Sequence, residues 1–270
     1  MKQVLISTTS ADWPGVEIEY PIPVRLFVDT LHGLEPNEKS FKILWIKEVE
    51  DISHFAEQAL ENAHHFDAII TYHQGILDKC KHAFFMAFGT AWVWDYKEST
   101  EKIFQVSHLT GNKEYTYGHK LRKELYTRQF EIKIPTDFYI SSHSNIPNLY
   151  SNKILGATKT PMFDSMFHLC IENTTQRNCF TEKLIDCLIT KTIPIYYGCE
   201  NISEYFDIES FYIVNTAEEA IKLCNTLTPD DYYSKQDTVQ KNLLLAKPYA
   251  TLLDRFSETV EHILTTSKPK

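Results

Sequence analysis

The sequence predicts an α/β fold of two Rossmann-like halves, residues 1–100 and 101–270, facing a cleft. Three observations predict it. Short apolar runs alternate with segments of helical spacing along most of the chain, the pattern of parallel sheets covered by helices. The alternation pauses near Tyr96 to Lys102, where charge density rises, and then restarts. Finally, Phe167 to Gly198 (F-H-L-C-I-E-N-T-T-Q-R-N-C-F-T-E-K-L-I-D-C-L-I-T-K-T-I-P-I-Y-Y-G) reads as strand, polar loop, helix and strand, with its polar residues gathered where the first strand meets the helix.

In the first half, Val4 to Ser7, Phe41 to Ile46, Ala68 to Tyr72 and Ala83 to Phe88 read as strands. His54 to His64 reads as a helix, with a short one over Ile76 to Lys81. Trp13 to Pro36 holds four prolines and reads as an extended loop. The second half opens with a strand at 103–108. The loop L-T-G-N-K-E-Y-T-Y-G leads into a helix from His119 to Gln129, then a strand at Glu131 to Ile134. Phe167 to Ile171 is apolar without helical spacing and suits a buried parallel strand. Thr181 is a natural N-cap, followed by Leu184, Cys187 and Leu188 on one helical face. Ile193 to Tyr197 is the next strand, closed by Gly198. A strand at Phe211 to Val214, a helix at Ala217 to Leu227 and two helices split at Pro248 complete the chain.

A formal charge of −9 argues against nucleic-acid binding, which needs a basic face to displace counterions. The six cysteines include no C-x-x-C pair, and Cys170 and Cys187 fall on core faces, so they read as buried thiols. The opening M-K-Q-V-L-I-S-T-T-S has too short an apolar part for a signal peptide, and no run approaches the ~20 apolar residues that span a bilayer. The expectation is a soluble, cytoplasmic protein. With 15 Tyr and 16 Phe, an aromatic-rich exterior leaves a dimer open.

In open α/β sheets, ligands bind beyond the carboxyl ends of the strands. Glu172, Asn173, Glu182 and Lys183 fall there, beside a helix N-terminus suited to an anion, which points to phosphate chemistry. Neither G-x-G-x-x-G nor G-x-x-x-x-G-K-(S/T) occurs, which counts against dinucleotide oxidoreductases and P-loop NTPases. There is also no G-x-S-x-G elbow or H-E-x-x-H pair. With 8 glycines, phosphate binding must rest on side chains and helix ends.

E-N-T, T-E-K and I-P-I-Y-Y-G, in that order and spacing, resemble the signature of glycosyltransferase family 10, the α-1,3-fucosyltransferases. The likeness is detailed over residues 166–214 and weaker from Val106 to Gln129. It implies a GT-B architecture, with an N-terminal acceptor half and a C-terminal half that binds a nucleotide-sugar donor. The last helix, within 249–264, would cross back onto the first half. The implied reaction is inverting, metal-independent transfer of a sugar from a GDP-activated donor to a glycan hydroxyl, with no cofactor. The absence of a D-x-D motif, the usual acidic metal site of GT-A enzymes, agrees.

By this resemblance Lys183 neutralises the leaving diphosphate; its spacing alone would make it a solvated lysine at an unfavourable end of the helix dipole. Arg122, in G-H-K-L-R-K-E-L-Y, is the second diphosphate cation, or else one member of a solvated basic face. Glu182 accepts hydrogen bonds from donor hydroxyls. Glu172 and Asn173 match the E-N of the signature, and Asn173 either binds donor or braces the loop. Thr181 is most simply the cap.

Two departures stand out. Cys179 replaces a family tyrosine, so a contact to the nucleotide is lost or supplied elsewhere, with Phe180 a candidate. Thr90, in A-F-G-T-A, takes the place of a glutamate base, and a hydroxyl cannot act as a base at neutral pH. Asp95, Glu98 and His73 are the replacements considered, with Asp95 first. A different donor sugar, or a non-catalytic nucleotide-sugar- or glycan-binding protein, are the alternatives these departures leave.

Overall fold

The computed structural model describes residues 20–97 and 101–267, together with the backbone of strands Lys2–Gln3 (β1), Leu5–Thr8 (β2) and Glu17–Ile18 (β3). Val4, Trp13 to Val16 and Glu98 lie outside the described residues. The chain divides into two compact units, 1–88 with 252–270, and 89–251.

In the first unit β1 pairs antiparallel with β3. Five parallel strands follow in chain order: β2, Val24–Val28 (β4), Phe41–Ile46 (β5), Ala68–Thr71 (β6) and Ala83–Phe85 (β7). Every residue of β5 is buried, and its alternation sends side chains to two cores. Ile43 and Trp45 pack with Leu26, Ile70 and the C-terminal helix Leu252–Thr266, through Phe256, Val260 and Ile263. Trp45 stacks on Phe256 with ring centroids 4.4 Å apart. Leu44 and Ile46 pack on the other face with Phe27, Phe55, Ala59 and Phe66.

Two expectations are corrected in this unit. The proline-rich stretch holds β4, whose start is marked by Pro23. Its carbonyl accepts from Phe41 N at 2.8 Å, and its missing N–H costs nothing just ahead of the strand. The helix expected over His54 to His64 is instead Glu50–Ser53 (α1), Ala56–Glu61 (α2) and a 3₁₀ turn, Ala63–His65. His54, in the left-handed region at φ 49°, ends the first piece. A short helix, Gln74–Leu77 (α3), follows β6.

The second unit has six parallel strands: Ile103–Thr110 (β8), Thr136–Ile140 (β9), Lys153–Ile154 (β10), Ser165–Ile171 (β11), Ile193–Tyr197 (β12) and Tyr212–Ile213 (β13). Their spatial order is β10-β9-β8-β11-β12-β13. The sheet therefore grows outward in one direction from β8 and in the other from β11, and the reversal between these neighbours opens a crevice at their carboxyl ends. Helices Tyr117–Thr127 (α4), Glu182–Ile189 (α5), Ala217–Cys224 (α6), Pro229–Tyr233 (α7) and Gln236–Ala246 (α8) complete it. The strand expected at Glu131 to Ile134 is displaced. Gln129–Glu131 forms a 3₁₀ turn, and pairing with β8 begins only after Pro135, whose carbonyl accepts from Val106 N. Pro248 sits in a 3₁₀ turn between α8 and the C-terminal helix.

The division falls at 88/89 because the residues that follow bond within the second unit. Trp92 N donates to Asp186, Tyr96 Oη to Thr190 O, and Ala91 N to Ala250 O. All six cysteines are buried free thiols. Among the described residues no helix is long and apolar enough to cross a membrane.

Candidate functional site

The carboxyl ends of β8 and β11 are joined by close backbone packing. Thr116 caps α4, accepting from His119 N at 3.4 Å. Gly118, the second residue of the helix, lies against the chain leaving β11, and its N–H donates to Asn173 O at 3.0 Å. A Cβ there would stand 1.9 Å from Glu172 O and 2.6 Å from Asn173 O, so only glycine allows the approach. The next turn brings Arg122 to the same segment. Its Nη1 donates to Ile171 O at 2.6 Å and its Nη2 to Asn173 Oδ1 at 2.9 Å. Burial lowers the Arg122 pKa while Glu172 and Glu182 oppose that shift, and a guanidinium stays charged. His119 is held near pKa 4, by burial first and then by Arg122, Lys113 and Lys183, so its imidazole is neutral at pH 7.

Glu172 is a buried carboxylate of the crevice, 3% exposed. Its Oε1 accepts from Thr181 N at 2.8 Å, its Oε2 from Thr181 Oγ1 at 2.7 Å, and Lys183 Nζ lies 3.5 Å from Oε2. It thereby pins the loop of residues 173–180 shut against the start of α5. Gly198 makes room for it, since a Cβ there would stand 2.6 Å from Glu172 Cγ. Thr181 caps α5, accepting from Lys183 N. Glu182 is buried, which works to raise its pKa, yet Lys183 and Lys159 bring it down to about 2. Lys183 is the counterpart: burial works against its charge, Glu182 and Glu172 prevail, and its pKa is raised. The crevice thus carries two cations, Arg122 and Lys183, beside the N-terminus of α5, an arrangement suited to an oxyanion.

The structure brings Arg122, Glu172, Asn173, Thr181, Glu182 and Lys183 together. Asn173 has bracing contacts, with its Oδ1 on Arg122 and its carbonyl accepting from Gly118 N and Thr116 Oγ1. Phe180 is a correction. It is fully buried against Tyr205, Phe206 and Tyr249, and a Cβ on Gly89 would meet its ring at 2.7 Å, so it is core and cannot stack on a nucleotide.

Asp95 is exposed, accepting from Thr158 Oγ1 at 2.7 Å and from Thr160 Oγ1, the residues on either side of Lys159. These bonds, Thr160 first, lower its pKa, which makes it a poorer base than an ordinary aspartate. Thr90 is buried. His73 follows β6 in the first unit, half-buried, its pKa lowered by burial and its Nδ1 without a hydrogen-bond partner.

Two charged residues of the site escaped the sequence reading. Lys159, in the loop before β11, pairs with Glu182 Oε1 at 3.2 Å and lies 3.6 Å from Asp186 Oδ2. Asp186, on α5, is fully buried, with Oδ1 accepting from Trp92 N at 2.6 Å. Asp186 had a signal, a lone carboxylate among Leu184, Ile185, Cys187 and Leu188 on a core helix and one turn beyond Glu182. Lys159, in G-A-T-K-T-P, had none.

Parallel sheets with covering helices in both units, and a charged crevice at a strand-order reversal, define the GT-B class of glycosyltransferase folds. Solved structures with this likeness include an α1,3-fucosyltransferase with GDP (16% identity, TM-score 0.52, covering 91% of this chain and 78% of that one). TarM aligns at 13% identity and TM-score 0.58, over 90% of this chain and 55% of that one. Residues 106–236 match the family described as glycosyltransferase family 10 (fucosyltransferase) C-term. A curated relative, the alpha-(1,3)-fucosyltransferase FucT of Helicobacter pylori, is 43% identical over 49 residues, a match spanning 18% of this chain and 10% of the relative.

Proposed function

We propose that the chain transfers a sugar, fucose or a close analogue, from a GDP-activated donor to a glycan hydroxyl, by inversion and without a metal. In this reading the second unit holds the nucleotide-sugar and the first unit serves the acceptor. The supporting observation is that Arg122, bonded to the backbone of Ile171, and Lys183, 3.5 Å from the buried Glu172, meet at the start of α5, inside the segment that matches family 10. As the bond to the sugar breaks, negative charge grows on the leaving diphosphate. Preorganised cations that need no solvent reorganisation stabilise that charge most. Glu182, ionised and held between lysines, accepts hydrogen bonds from donor hydroxyls.

Calorimetric titration of wild type and Lys183→Ala with GDP, UDP, CDP and ADP tests the donor half. Selective GDP binding, lost in the variant, is expected. Preference for UDP or CDP would discard the GDP donor. A second reading, a protein that binds the donor without transferring it, is favoured by the absence of a carboxylate at Thr90. It predicts GDP-sugar binding with no nucleotide release over long incubation.

A further inference from the structure

We propose that Lys159 and Asp186 are positioning residues for Glu182, fixing the carboxylate that meets the donor's sugar; this rests on the donor-site reading above. Glu182 and Asp186 lie one turn apart on α5, and Lys159 Nζ reaches both, at 3.2 and 3.6 Å. The three side chains are 9%, 0% and 13% exposed in that order, so the ammonium is held inside the protein rather than on its surface. Trp92, 46% exposed, touches both charges. Its ring centroid lies 4.2 Å from Lys159 Nζ, and its backbone N–H is bound to Asp186 Oδ1.

Bracing of the Trp92 segment uses one oxygen of Asp186. Asp186 Oδ2 is buried without a hydrogen-bond partner, and among the described residues the cation paired with it is Lys159. A buried carboxylate left half-satisfied is costly, and such groups recur where geometry is held for function. Lys183 reaches Glu182 as well, at 3.4 Å, but Lys183 also faces Glu172 and is the cation assigned to the diphosphate. When that charge turns to the phosphates, Lys159 still neutralises Glu182 and sets its orientation. The expected division of labour is Lys183 for the nucleotide's phosphates and Lys159, through Glu182, for the sugar.

The test compares GDP with GDP-fucose, by calorimetry, on wild type, Lys159→Met, Glu182→Gln and the double variant. The quantity read is the sugar-dependent gain, the ratio of the two affinities. Lys159→Met should lower that gain on the order of tenfold, the cost of one charge-assisted contact, with GDP affinity held within about twofold. In the Glu182→Gln background the same change should add nothing, because the partner through which Lys159 acts is gone. Lys159→Arg should restore most of the gain. Asp186→Asn, which keeps an oxygen for Trp92 N–H, should reduce the gain in the same direction and stands in if the Lys159→Met protein does not fold. An unchanged gain, a parallel loss of GDP and GDP-fucose binding, or additive losses in the double variant would each overturn the proposal. A wild type that binds neither compound, or binds GDP with no gain from the sugar, fails at the donor reading beneath it instead.

Discussion

The two sheets treat their carboxylates differently. In the first unit Asp29 accepts from the backbone N–H groups of Lys47 and Glu48, Asp67 from Lys42 N and Glu50 from Ala56 N. These carboxylates brace loops. In the second unit Glu172 and Asp186 accept backbone N–H groups too, from Thr181 and Trp92, but each also faces a lysine ammonium. The strand order accounts for the difference. The first sheet runs in chain order, β2 to β7, whereas the second reverses between β8 and β11, and the crevice there admits charges that are half-satisfied by protein.

The contrast can be broken most sharply at Lys183. Replacing it with alanine should lower kcat with GDP-fucose by on the order of 10²-fold or more, as removal of a preorganised stabiliser does elsewhere. Unchanged turnover would reduce the crevice to another brace. Glycine replacements come next. Gly118→Ala drives a methyl into Glu172 O and should cost about 1–3 kcal/mol in chemical denaturation, while weakening GDP binding. In the first unit a Cβ on Gly75 meets only the His73 ring, at 3.5 Å, so Gly75→Ala should leave stability unchanged or slightly raised. Equal effects at the two sites would remove the distinction between the units.

A smaller effect concerns pH. Burial raises the Asp186 pKa from 3.8 to about 7, with Lys159 opposing. Between those values the folded protein holds a proton that the unfolded chain has lost. The contribution of this group to stability is therefore complete at pH below the unfolded value and is lost as pH rises through about 7. Denaturation midpoints should fall from pH 5 to pH 8 more steeply in wild type than in Asp186→Asn, and parallel curves would remove the assignment. Asp95→Asn should do least, leaving initial transfer rates within about twofold, since its carboxylate already serves two threonine hydroxyls and is a weakened base.

Much of this was legible in the chain. Phe41–Ile46 and Ile193–Tyr197 are strands with the bounds their apolar runs imply, and Thr181 caps its helix as its position before T-E-K-L suggests. Local chemistry decides such features. Val24–Val28 was hidden because prolines beside it argue for loop, although proline at the entry of a strand removes no ladder bond. Phe180 was misread because an aromatic next to a binding motif looks the same in sequence whether it faces ligand or core. Its burial depends on Tyr205, Phe206 and Tyr249, remote in the chain. Lys159 was invisible for the same reason: its partners lie on α5, and only the fold brings them within reach.

The return of the C-terminal helix also bears on how the chain is made. Strands β4 to β7 leave the ribosome early, but Phe256, Val260 and Ile263, which cover one face of that sheet, come after the whole of the second unit. Through that interval Leu26, Ile43, Trp45 and Ile70 have no helix over them, while the second unit, continuous in sequence, is free to fold as its residues emerge. This sheet is thus synthesised before the second unit and finished after it.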